Sequence, residues 1–384
     1  MLIRSVLLTC AVAFWAALSA SAVDSADPDR KRRLGERYVP YADWTSSFAP
    51  GARANVRTPE VWWQTPGEIR ASRKNGEPPL SGLHVALDPG HIGGDYAEGE
   101  GRHFRIRESD FFAREGELAL VVAGEIRSRL EALGAQVTLL RESNRPVVVA
   151  RPKKRLREIA CKLPPPDKIS VESLADYAIR LRQAYFHETY VKGELLARAE
   201  KINRSIRPDV VLSVHINAAP WPEGAASGVN LELVEGNHSH VLVFGCMTAG
   251  ELSSEKQVRR LQIKMANGSG IIEEQLGAEL APTLGDAFSL PPSNYQGKNA
   301  VRLNSGSGYL WARNLLLLRQ VDCPVLLMEP FLANSIEGYR QLQEALHLRH
   351  GASGVFGEQD ILSRYAEAVV ASILRVYGPA ADAI

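Results

Sequence analysis

The 384-residue sequence lacks a dominant charge. Lys and Arg total 45 against 44 Asp and Glu, a net charge of +1, so it has no strong positive field and no nucleic-acid partner is expected. Cysteine is scarce too: the four residues show no CxxC spacing, which excludes a disulfide scaffold and argues against a thiolate metal site. There is no internal repeat and no HExxH motif. What is present is ordinary globular usage, 45% hydrophobic and 23% charged residues, enough apolar side chains for a packed core and inconsistent with a disordered, collagenous or multi-span membrane chain.

The amino terminus departs from this average. Arg4 precedes an apolar run from Ser5 to about Leu18, and Ala20, Ser21 and Ala22 form an AxA-like site, the organisation of a secretory signal peptide cleaved after about Ala22. The run is short for a spanning helix, so export without stable membrane insertion is the expectation, and an uncleaved anchor is the alternative. Cys10 lies inside the run after Thr9, which does not match a lipoprotein site. Removing it leaves Cys161, Cys246 and Cys323, which allow at most one intramolecular disulfide.

Residues 23–80 show no sustained period and read as an irregular lead-in, pinned to the domain by Trp62 and Trp63; an exposed pair stacking on sugar rings is the other reading. From residue 81 to 378 the pattern becomes that of one α/β domain. LHVALD is a strand ending at a DPG turn, EGELALVVAGEIRSRLEALG an amphipathic helix and AQVTLLRE a strand, a unit that favours a mostly parallel central sheet covered by helices on both faces. PDVVLSVHINA, SGVNLELVEG, HVLVFG and PVLLMEPF read as further strands; 171–206, 255–280, 335–347 and 358–376 read as helices. Large insertions are expected at about 142–195 and 236–310, and 282–308 reads as loop. The basic run Arg151 to Arg157 reads as a solvated face rather than a polyanion contact.

Four residues combine into a chemical proposition. His91 and His215 stand at the carboxyl ends of expected central strands, where open α/β sheets place their ligands. Glu115 opens a helix, where its bland reading is an acid complementing the helix dipole, and Glu329 follows four apolar residues, VLLM, so that as a buried carboxylate it must be paired, metal-bound or protonated. Two His and one Glu make the ligand set of a catalytic zinc with its fourth position open to water, and the remaining carboxylate can then move a proton. Glu117 rivals Glu115. Asp88 is placed to accept the other ring N–H of a ligand histidine, Asn217 to bind substrate or orient its loop, and Asn334 to do the same or merely cap a helix. His238 and His240 read as an ordinary exposed pair on an edge-like strand.

ALDPGHIGGD, EGELAL, GAQVTLLRE, PDVVLSVHINA and RNLLLLRQVDCPVLLMEPFLAN occur in an order that resembles the zinc-dependent N-acetylmuramoyl-L-alanine amidases of bacterial cell-wall metabolism, the amidase 3 family. The resemblance implies a Zn²⁺ cofactor, peptidoglycan as the partner, and cleavage of the amide between N-acetylmuramic acid and L-alanine. It makes His91, Glu115 and His215 the metal ligands and Glu329 the catalytic acid/base. The family usually has two glycines directly after the first histidine, whereas Ile92 intervenes here before Gly93 and Gly94. The long stretch Asp95 to Arg114 offers Glu98, Glu100, His103 and Glu108 as rivals to Glu115. These departures leave open a zinc hydrolase of another peptide or amide, or a silent wall-binding regulator. The insertions could form a lid, an autoinhibitory element or a surface for an activator that the sequence does not identify. Lacking wall-anchoring repeats, the exported chain is expected in the periplasm rather than outside the cell.

Overall fold

The apolar run after Gly82 forms β1 (His84–Pro89), whose residues from Val85 onward are all buried. The computed structural model describes residues 61–166, 170–221, 231–252, 254–295, 299–350 and 360–379, so the expected signal peptide and most of the lead-in lie outside the described residues. After β1 a loop carries the short antiparallel pair β2 (His103–Phe104) and β3 (Ala113–Arg114), then the helix Glu115–Ala132 returns the chain to β4 (Gln136–Leu139). Helices Pro152–Ala160, Val171–Phe186 and Lys192–Lys201 fill the insertion before β5 (Val210–Val214). Next come β6 (His240–Phe244), helices Glu255–Asn267 and Ser269–Phe288, β7 (Ala300–Arg302), β8 (Leu310–Arg313), β9 (Val325–Glu329), and the closing helices Ile336–His350 and Ile361–Tyr377.

Among the described residues, seven strands form one mixed sheet in the order β4-β1-β5-β9-β6-β8-β7. Neighbours from β4 to β9 run parallel, β6 reverses against β9, β8 follows β6, and β7 reverses again. All five residues of β5 are buried, as expected of a strand covered on both faces. Alternate residues divide between two apolar layers: Val210, Leu212, Val214, Leu326 and Met328 pack with the helices Glu115–Ala132, Ser269–Phe288 and Ile361–Tyr377. Val211, Val325 and Leu327 pack on the other side with Ala199, Ile202, Leu317 and Leu318. The two-sided α/β architecture follows from that period of two. Among the described residues, no helix is long and apolar enough to cross a membrane, and Cys161 and Cys323 are free thiols.

Several elements differ from expectation. Residues 66–72 are helical: Thr65 and Glu68 make a reciprocal capping box with Pro66 in the first turn. Arg70 and Arg73 donate to the carbonyls of Val376 and Tyr377 at 2.6 and 2.8 Å, tying this helix to the last one. Seven residues are too few to show a period, but the capping signal is visible in the sequence. Trp63 is buried and the Trp62 indole donates to the Pro208 carbonyl at 3.0 Å, so the pair anchors the chain. Of the strand expected over 227–236, residues 227–230 lie outside the described residues, and the rest forms only an isolated bridge, Val234 to Ser335. The helix expected to stop near 280 continues through Pro282 to Phe288, held by burial of Leu276, Leu280 and Leu284.

Candidate active site

The turn after β1 is held from beneath by two buried guanidiniums. Arg198, reaching in from the helix Lys192–Lys201, donates to Asp88 Oδ1 at 2.8 Å, Glu194 Oε1 at 2.8 Å, and the carbonyls of Pro89 and His91 at 2.7 and 2.6 Å. Arg141 binds the carbonyls of Pro89 and Gly90, both at hydrogen-bonding distance, and that of Gly116. Burial and the adjacent Arg198 charge lower its pKa to about 10, which leaves it charged at neutral pH. Asp88 therefore does not receive a ligand-histidine N–H, as the sequence suggested; Arg198 and the Ser213 hydroxyl, at 2.7 Å, occupy its oxygens. His91 adopts φ +55, a left-handed conformation costing about 1–2 kcal/mol for a residue with a Cβ, and these carbonyl clamps hold it there. The extra residue Ile92 is fully buried, and its N–H points at both oxygens of Glu100, 3.2 and 3.0 Å away.

His91, Glu115 and His215 come together above this turn, their ligand atoms all within 4.8 Å of one another. Glu115 sits between the rings, with Oε2 3.2 Å from His91 Nε2 and Oε1 3.0 Å from His215 Nδ1. The Ile216 N–H adds a donor at 3.2 Å. Burial opposes ionisation of Glu115, but the charge of His91 and the hydrogen bonds of both rings outweigh it and hold the carboxyl well below its usual range. Burial likewise opposes charging His91, and Glu115 with Glu100 overcomes this to lift it to about 9. The other nitrogen of His91 faces Glu100 at 3.5 Å, so the acid beside the ring is Glu100 rather than Asp88.

Of the five rivals to Glu115, Glu100 faces the other ring nitrogen of His91, and the remaining four point elsewhere. Glu117 accepts from the Gly94 N–H at 3.2 Å and from Asn144, with Arg114 at 3.3 Å. Glu98 and Glu108 are exposed, and the His103 ring packs near Phe112. Gly116 lets the helix start approach the turn: a Cβ there would lie 2.4 Å from the Gly93 nitrogen.

A row of residues crosses the sheet at its active edge. Pro89 pairs with Val214 and Val214 with Met328, so the next step sets Gly90, His215 and Glu329 side by side. The imidazole of His215 lies over Gly90, where a Cβ would come within 2.4 Å of it. Glu329 in turn pairs in register with His240, whose Nε2 lies 2.5 Å from Glu329 Oε2. His240 is fully buried, which corrects the exposed-pair reading: β6 is interior, between β9 and β8. Burial raises the Glu329 carboxyl, but the contact with His240, its hydrogen bond first, outweighs it and brings the net shift below the usual value.

The two asparagines shape adjoining loops. Asn217 accepts from the Ala218 N–H at 2.8 Å, and its carbonyl takes the Ala333 N–H at 2.7 Å. Asn334 is buried and does not cap the following helix; its amide bridges both the N–H and the carbonyl of Ala219, at 2.8 and 2.9 Å. Ser335 is the cap, accepting from Gly338 at 3.0 Å.

The family model described as N-acetylmuramoyl-L-alanine amidase matches residues 85–355. The chain belongs to this amidase family. Its members' reaction is hydrolysis of the amide joining N-acetylmuramic acid to L-alanine in peptidoglycan, and this chain is such an enzyme. Among solved structures it is similar to the amidase Ami1 of Mycobacterium smegmatis, at 17% identity over 78% of this chain and 98% of that one, TM-score 0.39. It is also similar to the CwlD amidase of Clostridioides difficile, solved in complex with the GerS lipoprotein, at 14% identity over 77% and 98%, TM-score 0.41. AmiC2 of Nostoc punctiforme matches at 14% identity over 77% and 97%, TM-score 0.36. No curated protein matches the chain.

In this amidase the donor set fits a zinc ion: two imidazole nitrogens and one carboxylate converge from separate elements. The residues that the sequence did not flag as site residues are Arg198, Arg141 and His240. Only His240 left a trace, a histidine opening the apolar run HVLVF, at the start of a strand rather than its end.

Proposed function

We propose that this amidase works with Zn²⁺ held by His91, Glu115 and His215, and that Glu329 is its catalytic acid/base. The observation that carries the reading is the single row placing Glu329 beside His215, itself 3.0 Å from Glu115. Bound there, Zn²⁺ would polarise the scissile carbonyl and acidify water. Glu329, ionised and 19% exposed, takes a proton from the attacking water and returns it to the departing alanine nitrogen. The C–N bond breaks, leaving a lactyl carboxylate on the glycan and a free amine on the peptide. Glu115, fully engaged by two rings and a backbone N–H, is not free for that proton. Export to the periplasm, supported by the signal-like first 22 residues, would bring the enzyme to its polymer.

The test is digestion of purified peptidoglycan by the zinc-loaded mature protein, with fragments identified by mass spectrometry. Peptides with a new amino-terminal alanine and an intact glycan are expected. Glu329→Gln is expected to retain zinc and lose about 10²- to 10⁴-fold in kcat; a wild-type rate in that variant would overturn the assignment of Glu329.

A further inference from the structure

Glu329 has a partner that the zinc chemistry does not require. The antiparallel register puts His240, the first residue of β6, directly opposite it, so both side chains project from the same face. His240 Nε2 stands 2.5 Å from Glu329 Oε2 and 2.9 Å from Tyr295 Oη. The imidazole is clamped by aromatic rings: His238 stacks at 5.6 Å between centroids and Tyr295 meets it edge-on at 5.2 Å. Tyr295 is itself fixed against Trp311 and under the Arg313 guanidinium.

Protonation of this ring is constrained by what surrounds it. Nδ1 of His240 is buried without a hydrogen-bond partner, so charging the ring would add an unpartnered buried N–H to the cost of a buried cation. A neutral ring with its proton on Nε2 avoids both and donates to Glu329. A fixed donor of that kind favours the ionised carboxylate and occupies one of its two oxygens.

We propose that His240 is a positioning residue for Glu329: its Nε2–H fixes Oε2 and leaves Oε1 as the oxygen that exchanges the proton. The inference rests on the reading of Glu329 as acid/base. As water attacks, its oxygen bonds to the scissile carbon and its proton passes to Oε1. When the C–N bond breaks, that proton moves to the alanine nitrogen, the carboxylate is restored, and His240 keeps its own proton throughout.

The test compares His240→Met, close in bulk but without a donor, with His240→Gln, whose amide can donate, and with Glu329→Gln, each as the zinc-loaded mature chain. His240→Met is expected to lower kcat about 10- to 100-fold while KM stays within about twofold and zinc content is unchanged, and His240→Gln to recover most of the loss. A wild-type kcat in His240→Met, or equal losses in Met and Gln variants, would overturn the inference. Should His240→Met not fold, the ¹⁵N spectrum of the histidine-labelled wild-type protein decides, with the His240 signal assigned from the Gln variant. A neutral ring protonated at Nε2 is expected; a proton on Nδ1 instead overturns it. Inactivity of Glu329→Gln with a fully active His240→Met removes only this inference. Full activity of Glu329→Gln removes the acid/base assignment on which it stands.

Discussion

At the scale of single residues, two substitutions separate holding a metal from shaping its surroundings. Glu115 and Glu117 are two positions apart on one helix, yet Glu115 lies between two imidazoles while Glu117 accepts from the Gly94 N–H at a half-exposed site. Glu115→Gln is expected to lose zinc and activity together, whereas Glu117→Ala should keep one zinc per chain and lose about 1 kcal/mol of stability; metal analysis of the two purified variants checks this. Gly90→Ala probes the same centre from the backbone, because its Cβ would meet three atoms of the His215 ring at 2.4–2.7 Å. Displacing a ligand ring that way should weaken zinc affinity at least about tenfold, measured by competition with a chelator dye. His91, Glu115, His215 and Glu329 were legible because each ends or opens an apolar run, the pattern also carried by the family motifs. Asp88's true partner was not, since Arg198 lies 110 positions away and no local period joins them. His240 was not legible either, because it opens its strand rather than ending it, and only the antiparallel run of β6 against β9 brings that start to the active edge.

At the scale of elements, the insertion before β5 is in part a brace. The helix Lys192–Lys201 sends Arg198 under the His91 turn and uses Glu194 to accept the N–H groups of Val147 and Val148 at 3.0 and 2.8 Å, so one helix fastens two loops. With the guanidinium and both carboxylates nearly inaccessible, Arg198→Met would strand two buried acids and should cost about 3–5 kcal/mol, read from urea unfolding. The pH dependence has a definite sign. Burial resists ionisation of Asp88, but Arg198 and the Ser213 hydroxyl outweigh it and hold its carboxyl below the usual value. A depressed carboxyl stabilises the fold fully above its unfolded pKa of about 3.9 and loses that contribution as pH falls through the lower folded value. Wild-type urea midpoints should therefore drop steeply below about pH 4, and Asp88→Asn, less stable at pH 7, should show a shallower acid limb. The helices Glu115–Ala132 and Ile361–Tyr377 were legible from their apolar stripes. The helix Pro66–Ser72 was too short to show one, and Pro282 concealed a helix sustained by tertiary burial.

At the scale of the whole molecule, the sheet's two-sided burial was legible in the apolar runs of β5, interrupted only by Ser213, and β9, but its reversal between β9 and β6 was not, because direction depends on connections rather than on composition. That topology gives the candidate centre a global consequence. Its three donors come from the turn after β1, the start of the following helix and the end of β5, up to 124 positions apart between His91 and His215. A ligand that bridges such distant segments binds the folded chain and not the unfolded one, so it stabilises by RT ln(1 + [L]/Kd), about 2.7 kcal/mol when free zinc is 100 times Kd. Chelation of the wild-type protein should lower its melting temperature by several degrees, zinc should restore it, and His215→Ala should melt at one temperature with or without the ion. Calorimetry on these samples distinguishes the readings, because a trio that were only a buried ion-pair cluster would leave the wild-type melting temperature unmoved by either treatment.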